Sequence, residues 1–337
     1  MNVLITGSCG FIGYFVTLHF LKNNYHVFGV DNFNNYYDPL LKKFRFEKLK
    51  KNPLYKHIDI DLSRRTDYAK LKNELKEKEI DLVIHLAAYP GVKYSLKNPS
   101  KYIKNNIIAT QNLFEFINKN ENFKKQVILA STSSVYSGNP TPFDENLPIK
   151  QFLSPYAYTK FASENIANFF YNFHKFKVVI LRYFTVYGVY NRPDMAVYKF
   201  FESIIKNKTI KIRGRDIKRD FTYIEDVATA TFEARKLFEN TKVFEIINIG
   251  SDNPIRVLDL VKMMFETVKK ETKILIEDYT FFEPRETWAS ISKARKLLNF
   301  NPSNNFFENL QKTFESLKEY WGYCERGLYK QSGSSSK

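Results

Sequence analysis

Three closely spaced glycines near the N-terminus constrain the fold more than any other feature of the sequence. Gly7, Gly10 and Gly13 directly follow the apolar run 2–6 and open a segment with a helical pattern. Because glycine has no Cβ, these residues allow a tight strand-to-helix turn whose backbone N–H groups can approach a diphosphate. The spacing therefore predicts a strand, a glycine-rich turn and a helix that together bind a dinucleotide.

Short apolar runs recur through the first half of the chain and alternate with longer amphipathic stretches. Uninterrupted runs of this kind are typical of strands that are buried on both faces of a parallel sheet. The runs that we interpret as strands are 2–6, 27–31, 82–86, 126–130 and 178–182, with a return to the sheet at 244–248. Together with the helical patterns at 102–118 and 156–174, they predict an α/β fold with a Rossmann-type doubly wound parallel sheet.

The alternation breaks into loops and isolated segments after Arg182, which predicts a smaller C-terminal substrate-binding domain. The low-complexity tail is rich in serine and glycine, and we expect it to be disordered. The predicted divisions are a dinucleotide-binding domain at 1–188 with return segments near 221–250, a substrate-binding domain at 189–220 and 251–330, and a tail at 331–337.

The composition limits the classes of partner. The 337 residues include 52 basic and 36 acidic side chains, a formal net charge of +16, and the lysines are scattered rather than grouped. Scattered charge indicates solvated faces, and it favours a substrate with several negative charges over nucleic acid. No apolar run approaches the roughly 18 residues of a membrane helix. Cys9 and Cys324 provide no disulfide framework, which fits a reducing cytoplasm. We expect no metal site.

Asp31 provides a carboxylate at the position where a dinucleotide-binding site binds the adenosine ribose. Asp31 ends the second predicted strand, and a carboxylate there accepts hydrogen bonds from both adenosine ribose hydroxyls. The same charge would repel a 2′-phosphate. The position of Asp31 therefore favours NAD over NADP as the cofactor.

A phenol and an ammonium group lie one helical turn apart in the predicted helix 156–174. Tyr156 and Lys160 share one face of this helix. A phenol with a pKa of about 10 is a poor base at neutral pH, but a nearby cation favours the phenolate. Thr132, just beyond the fourth strand, is placed to share the proton path. Tyrosine–lysine pairs are also common on solvated helices, so the spacing alone leaves both interpretations open.

The order of these motifs resembles the extended short-chain dehydrogenase/reductase family over nearly the whole chain. Besides the glycines, Asp31 and the Tyr156–Lys160 pair, the matching stretches are His85-Leu-Ala-Ala88 and Ser131-Thr-Ser-Ser134. The resemblance implies that Tyr156 is the acid/base, that Lys160 tunes it and holds the nicotinamide ribose, and that Thr132 assists. It further implies NAD contacts from Gly7, Gly10, Phe11, Ile12, Gly13, Asp31, Asn32, Asn34, Lys42, Asp61, Leu62, Leu86, Ala87, Ala88, Asn106, Tyr156, Lys160 and Tyr183.

Three stretches resemble the UDP-glucuronate 4-epimerases within that family. Ser134 stands where the dehydratases and decarboxylases of the family carry glutamate, which argues against loss of water or of carbon dioxide. Arg182-Tyr-Phe-Thr-Val-Tyr-Gly188, followed by Arg192-Pro-Asp-Met-Ala196, resembles the signature of this subgroup, with Thr185 where UDP-galactose 4-epimerases have asparagine. Gly91-Val-Lys-Tyr-Ser95 resembles its substrate loop, with lysine in place of arginine.

A uronic acid oxidised at C4 is a β-keto acid, so an epimerase must hold its carboxylate in an orientation that does not lose carbon dioxide. Our candidates for this task are Ser133, Ser134 and Thr185, with Arg192 closing over the pocket and Lys93 contributing charge. The resemblance assigns the nucleotide to Ile212 and Arg213 at the uracil and to Arg219 and Arg285 at the diphosphate.

The sequence thus predicts an NAD-dependent 4-epimerase that converts UDP-glucuronate to UDP-galacturonate through a 4-keto intermediate. A 4-epimerase of a neutral UDP-hexose or UDP-N-acetylhexosamine is the alternative. A non-catalytic NAD-binding or nucleic-acid-binding relative is a remote one. The family resemblance also implies a homodimer in which the helical segments 102–118 and 156–174 form a four-helix bundle.

Overall fold

A parallel sheet of seven strands forms the centre of the computed structural model, which describes residues 1–279 and 284–325. The predicted tail 331–337 lies outside the described residues. The strands are β1 (Asn2–Thr6), β2 (His26–Val30), β3 (Tyr55–Ile58), β4 (Leu82–His85), β5 (Gln126–Thr132), β6 (Lys177–Tyr183), β7 (Thr185–Tyr187), β8 (Ile210–Arg213), β9 (Lys218–Tyr223), β10 (Phe244–Ile249), β11 (Pro254–Arg256) and β12 (Ile274–Glu277).

The strand order in the sheet is β10-β6-β5-β4-β1-β2-β3, and each neighbouring pair is parallel. The order reverses at β1, whose Thr6 pairs with Val30 of β2 on one side and with His85 of β4 on the other. Ligands of such sheets bind at the carboxyl ends of the strands beside this reversal. The predicted doubly wound α/β fold is confirmed.

Side chains of β1 alternate between two buried layers. Val3 and Ile5 belong to one hydrophobic cluster and Leu4 to the other, and all three are fully buried. Helices therefore cover both faces of the sheet, as continuous apolar strands require. The helices are α1 (Phe11–Lys22), α2 (Pro39–Leu49), α3 (Tyr68–Glu74), α4 (Val92–Lys97), α5 (Pro99–Tyr102), α6 (Ala109–Lys119), α7 (Pro155–His174), α8 (Ala196–Ile205), α9 (Ile224–Glu233), α10 (Val257–Val268), α11 (Ser292–Leu298) and α12 (Phe306–Glu325).

The helical segment predicted at 102–118 is divided in the structure. A π-helical turn, Ile103–Ile108, joins α5 to α6. The segment predicted at 156–174 is the continuous helix α7, which begins after Ser154, whose hydroxyl accepts a hydrogen bond from the N–H of Ala157. The two segments pack against each other, and Asn106 donates a hydrogen bond to the hydroxyl of Thr159.

The C-terminal half is more helical than the predicted loops and isolated segments. α8, α10, α11 and α12 present apolar faces to a hydrophobic cluster that also contains Val3 and Ile5 of the central sheet. Two small sheets, β11-β9-β7 and β12-β8, complete this part. Because one core joins both halves, the domain boundaries given above stay a prediction. Within the described ranges, every helix is too short or too polar to cross a bilayer.

Candidate active site

A cleft of about 980 Å³ lies at the carboxyl edge of the central sheet, between the sheet and the C-terminal half. Its wall contains all but two of the side chains that the sequence assigns to cofactor, catalysis and sugar. The turn after β1, the segment after β2 and the loop after β4 form one end. The end of β5, the start of α7 and the residues from Tyr183 onward form the other.

The glycine-rich turn has the shape that a dinucleotide requires. Gly7 has a φ of +73°, and a Cβ on it would lie 2.9 Å from the backbone N of Ala87. A Cβ on Gly13 would lie 2.0 Å from the carbonyl oxygen of Gly7, and the N–H of Gly10 donates to that same oxygen at 2.9 Å. Side chains here would close the space at the N-terminus of α1, where N–H groups favour a diphosphate. The turn fits the cofactor predicted for it.

Asp31 and Lys42 form a buried ion pair with Oδ1 and Nζ 3.2 Å apart. The N–H of Phe33 donates to the same Oδ1 at 2.9 Å, and no described residue bonds to Oδ2. One carboxylate oxygen therefore remains for ribose hydroxyls. Lys42 offers a cation beside the same ribose. Asn32, Asn34, Asp61 and Leu62 complete this end of the cleft.

Tyr156 lines the other end of the cleft from the first turn of α7 and is half-buried. Burial raises the pKa of its phenol above the ordinary value, and the Thr132 hydroxyl and the charge of Arg192 oppose that shift. A bound dinucleotide with an oxidised, cationic ring would add a further lowering effect. We therefore expect the pKa of Tyr156 to be low enough for it to act as a base only when the oxidised dinucleotide is bound.

Lys160 is buried one turn further along α7. Burial lowers the pKa of its ammonium to about 8, although the carboxylate of Glu164 acts in the opposite direction. Its Nζ has no hydrogen-bond or ion-pair partner in the parts of the chain that the structure describes, and it borders the cleft. A cation in this position is available to a ligand and to the phenolate form of Tyr156.

Thr132 organises the hydroxyl groups beside Tyr156. Its side chain accepts a hydrogen bond from the N–H of Ser134 at 3.2 Å and donates to the Ser134 hydroxyl at 3.2 Å. These bonds cap the short 3₁₀ turn Ser133–Tyr136. Ser133, Ser134 and Thr185 therefore present small hydroxyl groups at one end of the cleft.

Asp194 and Tyr36 are residues of the cleft wall that the sequence reasoning missed. Asp194 binds the guanidinium of Arg192 at 2.9 and 2.7 Å and accepts a hydrogen bond from the hydroxyl of Tyr36. Burial acts to raise the pKa of Asp194, but the charge and hydrogen bonds of Arg192, together with a backbone hydrogen bond and the charge of Lys199, lower that pKa overall. The Asp of the Arg192-Pro-Asp motif was the available signal. Nothing in the sequence indicates that Tyr36 reaches it.

The nucleotide end contains the predicted Ile212, Arg213 and Arg219, together with Glu277, which the sequence did not indicate. Glu277 of β12 lies 3.8 Å from Arg213 and 3.0 Å from Lys211 of the paired strand β8. In the Arg219-Asp-Phe segment, Asp220 is buried and accepts hydrogen bonds from the backbone of Ser251, Asp252 and Ala289. The aspartate therefore fixes loops around β9.

Two predicted site residues lie outside the cleft wall. Asn106 is buried behind it, where its amide accepts from the N–H of Tyr89 at 2.7 Å and donates to the Tyr89 carbonyl at 3.1 Å. Arg285 is exposed, and its guanidinium packs over the ring of Tyr279 at 5.1 Å. The sequence analysis assigned Asn106 and Arg285 to the site only from their positions in family motifs. Tyr183 reaches the wall, but its hydroxyl is hydrogen-bonded to Thr231 at 2.8 Å.

Cations outnumber carboxylates in the cleft wall. The nine cationic side chains are Lys42, Lys93, Lys97, Lys160, Arg192, Lys199, Lys211, Arg213 and Arg219, and the four carboxylates are Asp31, Asp61, Asp194 and Glu277. Such a wall raises the local concentration of an anionic ligand. The described residues contain no group of three or more His, Cys, Asp or Glu that could hold a metal ion.

One cleft brings together a glycine-rich turn at the sheet reversal, a buried carboxylate after β2, and a tyrosine with a buried lysine. This combination is typical of dinucleotide-dependent enzymes of the short-chain dehydrogenase/reductase class. The comparison with sequence families gives a match of residues 3–250 to the NAD dependent epimerase/dehydratase family. The chain belongs to this family.

Individual relatives agree with this membership. A UDP-glucuronate 4-epimerase of Thermodesulfobacterium geofontis is 40% identical over 318 residues, which cover 94% of this chain and 96% of that protein. The structure of UDP-glucuronic acid 4-epimerase from Bacillus cereus in complex with UDP-glucuronic acid and NAD has a TM-score of 0.87 at 35% identity, covering 95% of this chain and 99% of that chain. The structure of UDP-glucose 4-epimerase with UDP-glucose from Thermotoga maritima has a TM-score of 0.83 at 27% identity, covering 95% and 100%.

The resemblance to extended short-chain dehydrogenases/reductases and to UDP-glucuronate 4-epimerases is thereby confirmed, as is NAD as the cofactor. The prediction of an NAD-dependent epimerase is also confirmed. The remote alternative of a non-catalytic relative receives no support from these comparisons.

Proposed function

We propose that this chain is an NAD-dependent 4-epimerase of a UDP-sugar and that its substrate is UDP-glucuronate, which it converts to UDP-galacturonate. The observation that carries the choice of an acidic sugar is the make-up of the cleft beside Tyr156. The small hydroxyl groups of Ser133, Ser134 and Thr185 lie there, and Asp194, the carboxylate of that end, is neutralised by Arg192. The named relatives with this activity support the same choice.

Three residues have separate roles in proton transfer at the C4 hydroxyl group of the sugar. The charge of Lys160 stabilises Tyr156 as the phenolate, which takes the proton of the 4-hydroxyl group and becomes the neutral phenol. The Thr132 hydroxyl, which in the structure donates to Ser134, turns to donate a hydrogen bond to the phenolate oxygen. NAD, when bound, supplies the acceptor and donor of the hydride at C4. After the keto sugar turns about its diphosphate linkage, Tyr156 returns the proton and the configuration at C4 is inverted. No cofactor is consumed.

Retention of the carboxylate is the specific problem of a uronate substrate. A 4-keto uronate loses carbon dioxide most easily when the bond to its carboxylate stands perpendicular to the ketone plane. Hydroxyl donors at Ser133, Ser134 and Thr185 hold that carboxylate near the plane and keep its charge solvated. Arg192 and Lys93 add positive charge on the same side. These assignments, like the cofactor contacts given above, are part of the proposal.

The direct test is incubation of the purified protein with UDP-glucuronate, followed by chromatography or proton NMR of the nucleotide sugars. UDP-galacturonate is the expected product, without added NAD if the cofactor copurifies. A UDP-pentose formed with carbon dioxide, or no reaction with full NAD occupancy, contradicts the proposal. A copurified nucleotide sugar identified by mass spectrometry would test the same point independently.

A 4-epimerase of a neutral UDP-sugar is the second candidate, because the chain shares its fold with a UDP-glucose 4-epimerase whose structure was solved with UDP-glucose. Competition separates the two. An acidic substrate predicts that UDP-glucuronate displaces UDP more effectively than UDP-glucose or UDP-N-acetylglucosamine does. If a neutral UDP-sugar displaced UDP more effectively than UDP-glucuronate, the substrate would be a neutral UDP-sugar.

The assembly that we propose is a homodimer. Ile103 and Ile108 on the π-helical turn, and Phe169 and Phe173 on α7, are 40%, 43%, 48% and 71% exposed. Large apolar side chains on two packed helices mark an interaction surface. A pairing of α5–α6 and α7 from two copies would bury them in a four-helix bundle. Light scattering should give twice the monomer mass of 39.8 kDa. Phe173→Glu should lower it, whereas Lys312→Glu, at an exposed position on α12, should not.

Both cysteines are free, which is consistent with the proposed location in the cytoplasm. We also retain the proposed division into an NAD-binding part, 1–188 with 221–250, and a nucleotide-sugar-binding part.

A further inference from the structure

Glu164 lies on α7 one helical turn beyond Lys160 and is 4% exposed. Its carboxylate is the centre of a buried network behind the cleft. The guanidinium of Arg182 donates from Nε to Oε1 at 3.0 Å and from Nη2 to Oε2 at 2.7 Å. The Ser131 hydroxyl donates a further hydrogen bond to Oε1. One side chain therefore binds both neighbouring strands β5 and β6.

We propose that Glu164 is a positioning residue for proton transfer, which holds the Tyr156–Lys160 helix in register with the strand ends that carry Thr132 and Tyr183. The proposal rests on the catalytic roles given above to Tyr156 and Lys160. Glu164 itself does not border the cleft, so it acts through its neighbours.

The sheet register explains how one carboxylate can set this geometry. Ser131 of β5 is the cross-strand partner of Arg182 of β6, and the next pair along the sheet is Thr132 with Tyr183. Successive side chains of a strand point to opposite faces. Glu164 therefore clamps α7 to the Ser131–Arg182 pair, which directly precedes the Thr132–Tyr183 pair, and both residues of that second pair line the cleft. A shift of α7 by a fraction of a turn would break all three hydrogen bonds of Glu164.

The network continues away from the cleft and makes the clamp rigid. The guanidinium of Arg182 lies 4.8 Å from the ring centroid of Tyr136, whose hydroxyl donates to Asn248 of β10 at 2.7 Å. Buried ion pairs contribute little net stability compared with apolar residues, because desolvation offsets their attraction. A contribution to stability therefore does not explain the buried Glu164–Arg182 pair. The orientation of α7 relative to β5 and β6 does explain it.

The charge of Glu164 also acts on Lys160. The titratable groups that interact with Lys160 are Glu164 on its own helix and His85 on β4. Tyr156 stands one turn before Lys160 on α7, and Arg182 binds Glu164. Burial and the Lys160 charge lower the pKa of His85 to about 3, so the imidazole stays neutral. Asn106 and Thr110, on the facing helix, carry no charge. Glu164 is thus the group that opposes deprotonation of Lys160.

The test compares Glu164→Gln, Glu164→Asp and Ser131→Ala with the wild-type protein, using whichever UDP-sugar the wild type epimerises. Glu164→Gln should lower kcat by about tenfold to a hundredfold with little change in KM. Since the glutamine lacks the charge that keeps Lys160 protonated, the alkaline limb of kcat should move to lower pH. Glu164→Asp keeps the negative charge, so the alkaline limb of its kcat–pH profile should stay at the wild-type pH. Ser131→Ala should lower kcat but leave the pH of that limb unchanged.

A turnover-independent measurement separates this proposal from the proposed function. NMR titration of isotope-labelled lysine, with the Lys160 signal assigned from Lys160→Arg, should show Lys160 losing its proton at lower pH in Glu164→Gln. Glu202→Gln, which alters an exposed pair with Lys206, is the matched control. The positioning role would be overturned if Glu164→Gln had the wild-type kcat and an unchanged alkaline limb. It would also be overturned if the loss of kcat only matched the loss of folded protein measured by circular dichroism. If Glu164→Gln does not fold, wild-type kcat in both Glu164→Asp and Ser131→Ala would overturn it.

Discussion

The hydroxyl of Tyr36 donates a hydrogen bond to Oδ2 of Asp194 at 3.3 Å, and this contact joins the segment after β2 to the loop that carries Arg192. A third segment meets them there, because a Cβ on Gly91 would lie 2.5 Å from the Tyr36 hydroxyl oxygen. The first segment begins at Asp31, on the cofactor side, and the loop belongs to the sugar side. The contact therefore joins two walls of the cleft, and we expect it to restrict the path by which a bound dinucleotide leaves.

Tyr36→Phe should accelerate the loss of NAD from the protein. Removal of one hydrogen bond to a half-buried carboxylate costs about 1 kcal/mol, which corresponds to about fivefold in rate or affinity. The measurement is the NAD content remaining after timed gel filtration. Tyr198→Phe is the control, since that hydroxyl accepts from Trp321 at 2.9 Å, away from the cleft. Equal retention in wild type and Tyr36→Phe would contradict the interpretation.

Tyr156→Phe should reduce kcat by about 10²- to 10⁴-fold, because it removes the group that takes and returns the proton at C4. The affinity for UDP, measured by calorimetry, should stay within about twofold, since the phenol is far from the predicted nucleotide end. Tyr158→Phe, two residues further on the same helix and outside the cleft wall, should retain full activity. Near-normal turnover of Tyr156→Phe would exclude this residue as the acid/base.

Ser134→Glu should impair the handling of a uronate selectively. The new carboxylate would lie beside Thr132 and repel the carboxylate of the sugar, so KM for UDP-glucuronate should rise and carbon dioxide should appear among the products. Both are measured by NMR of the reaction mixture. Ser137→Ala, in which the lost hydroxyl donates to the Ser134 carbonyl at 2.8 Å, is a control for disturbance of the turn. Unchanged rate and product would remove Ser134 from carboxylate control.

The sequence predicted the parallel sheet and the residues that line one end of the cleft, because both depend on local patterns. Strands such as β5 are continuous apolar runs, and Gly7 and Asp31 follow directly from strand ends. β3 was missed because Tyr55-Lys-His-Ile58, at the sheet edge, mixes polar and apolar residues. The helices of the C-terminal half were missed because their faces are defined by a core that the sheet also supplies.

The contacts that cross the cleft could not be predicted from spacing. Tyr36 and Asp194 are separated by 158 residues, and Glu164 and Arg182 lie on different elements. Arg285 was assigned to the site by its motif position, whereas in the structure its exposed guanidinium packs over the ring of Tyr279 outside the cleft wall. The diphosphate contact predicted for it stays a prediction. Local residue patterns determine elements, whereas packing of those elements determines which polar side chains meet.

Ionic strength should affect substrate capture more than turnover. The cleft wall carries nine cations against four carboxylates, and salt screens such a field over about 10 Å at 0.1 M. We therefore expect kcat/KM to fall as salt rises while kcat changes little. Lys97→Gln, in the wall, should reduce both kcat/KM and its salt dependence, and the exposed Lys312→Gln on α12 should not. A salt-independent kcat/KM would show that the wall charge has no steering effect.

Cys9 should resist alkylation in the folded protein although it lies within the glycine-rich turn. Burial raises the pKa of its thiol to about 12, the charge of Asp31 adds to that shift, and the side chain is 0% exposed. The thiolate is the reactive form, so at pH 8 the thiol is both protonated and inaccessible. Iodoacetamide should label Cys324, which is half-buried, before Cys9, as measured by peptide mass spectrometry. Cys324→Ser should then remain unlabelled until the protein is unfolded, and rapid labelling of Cys9 in the folded variant would show that the turn opens.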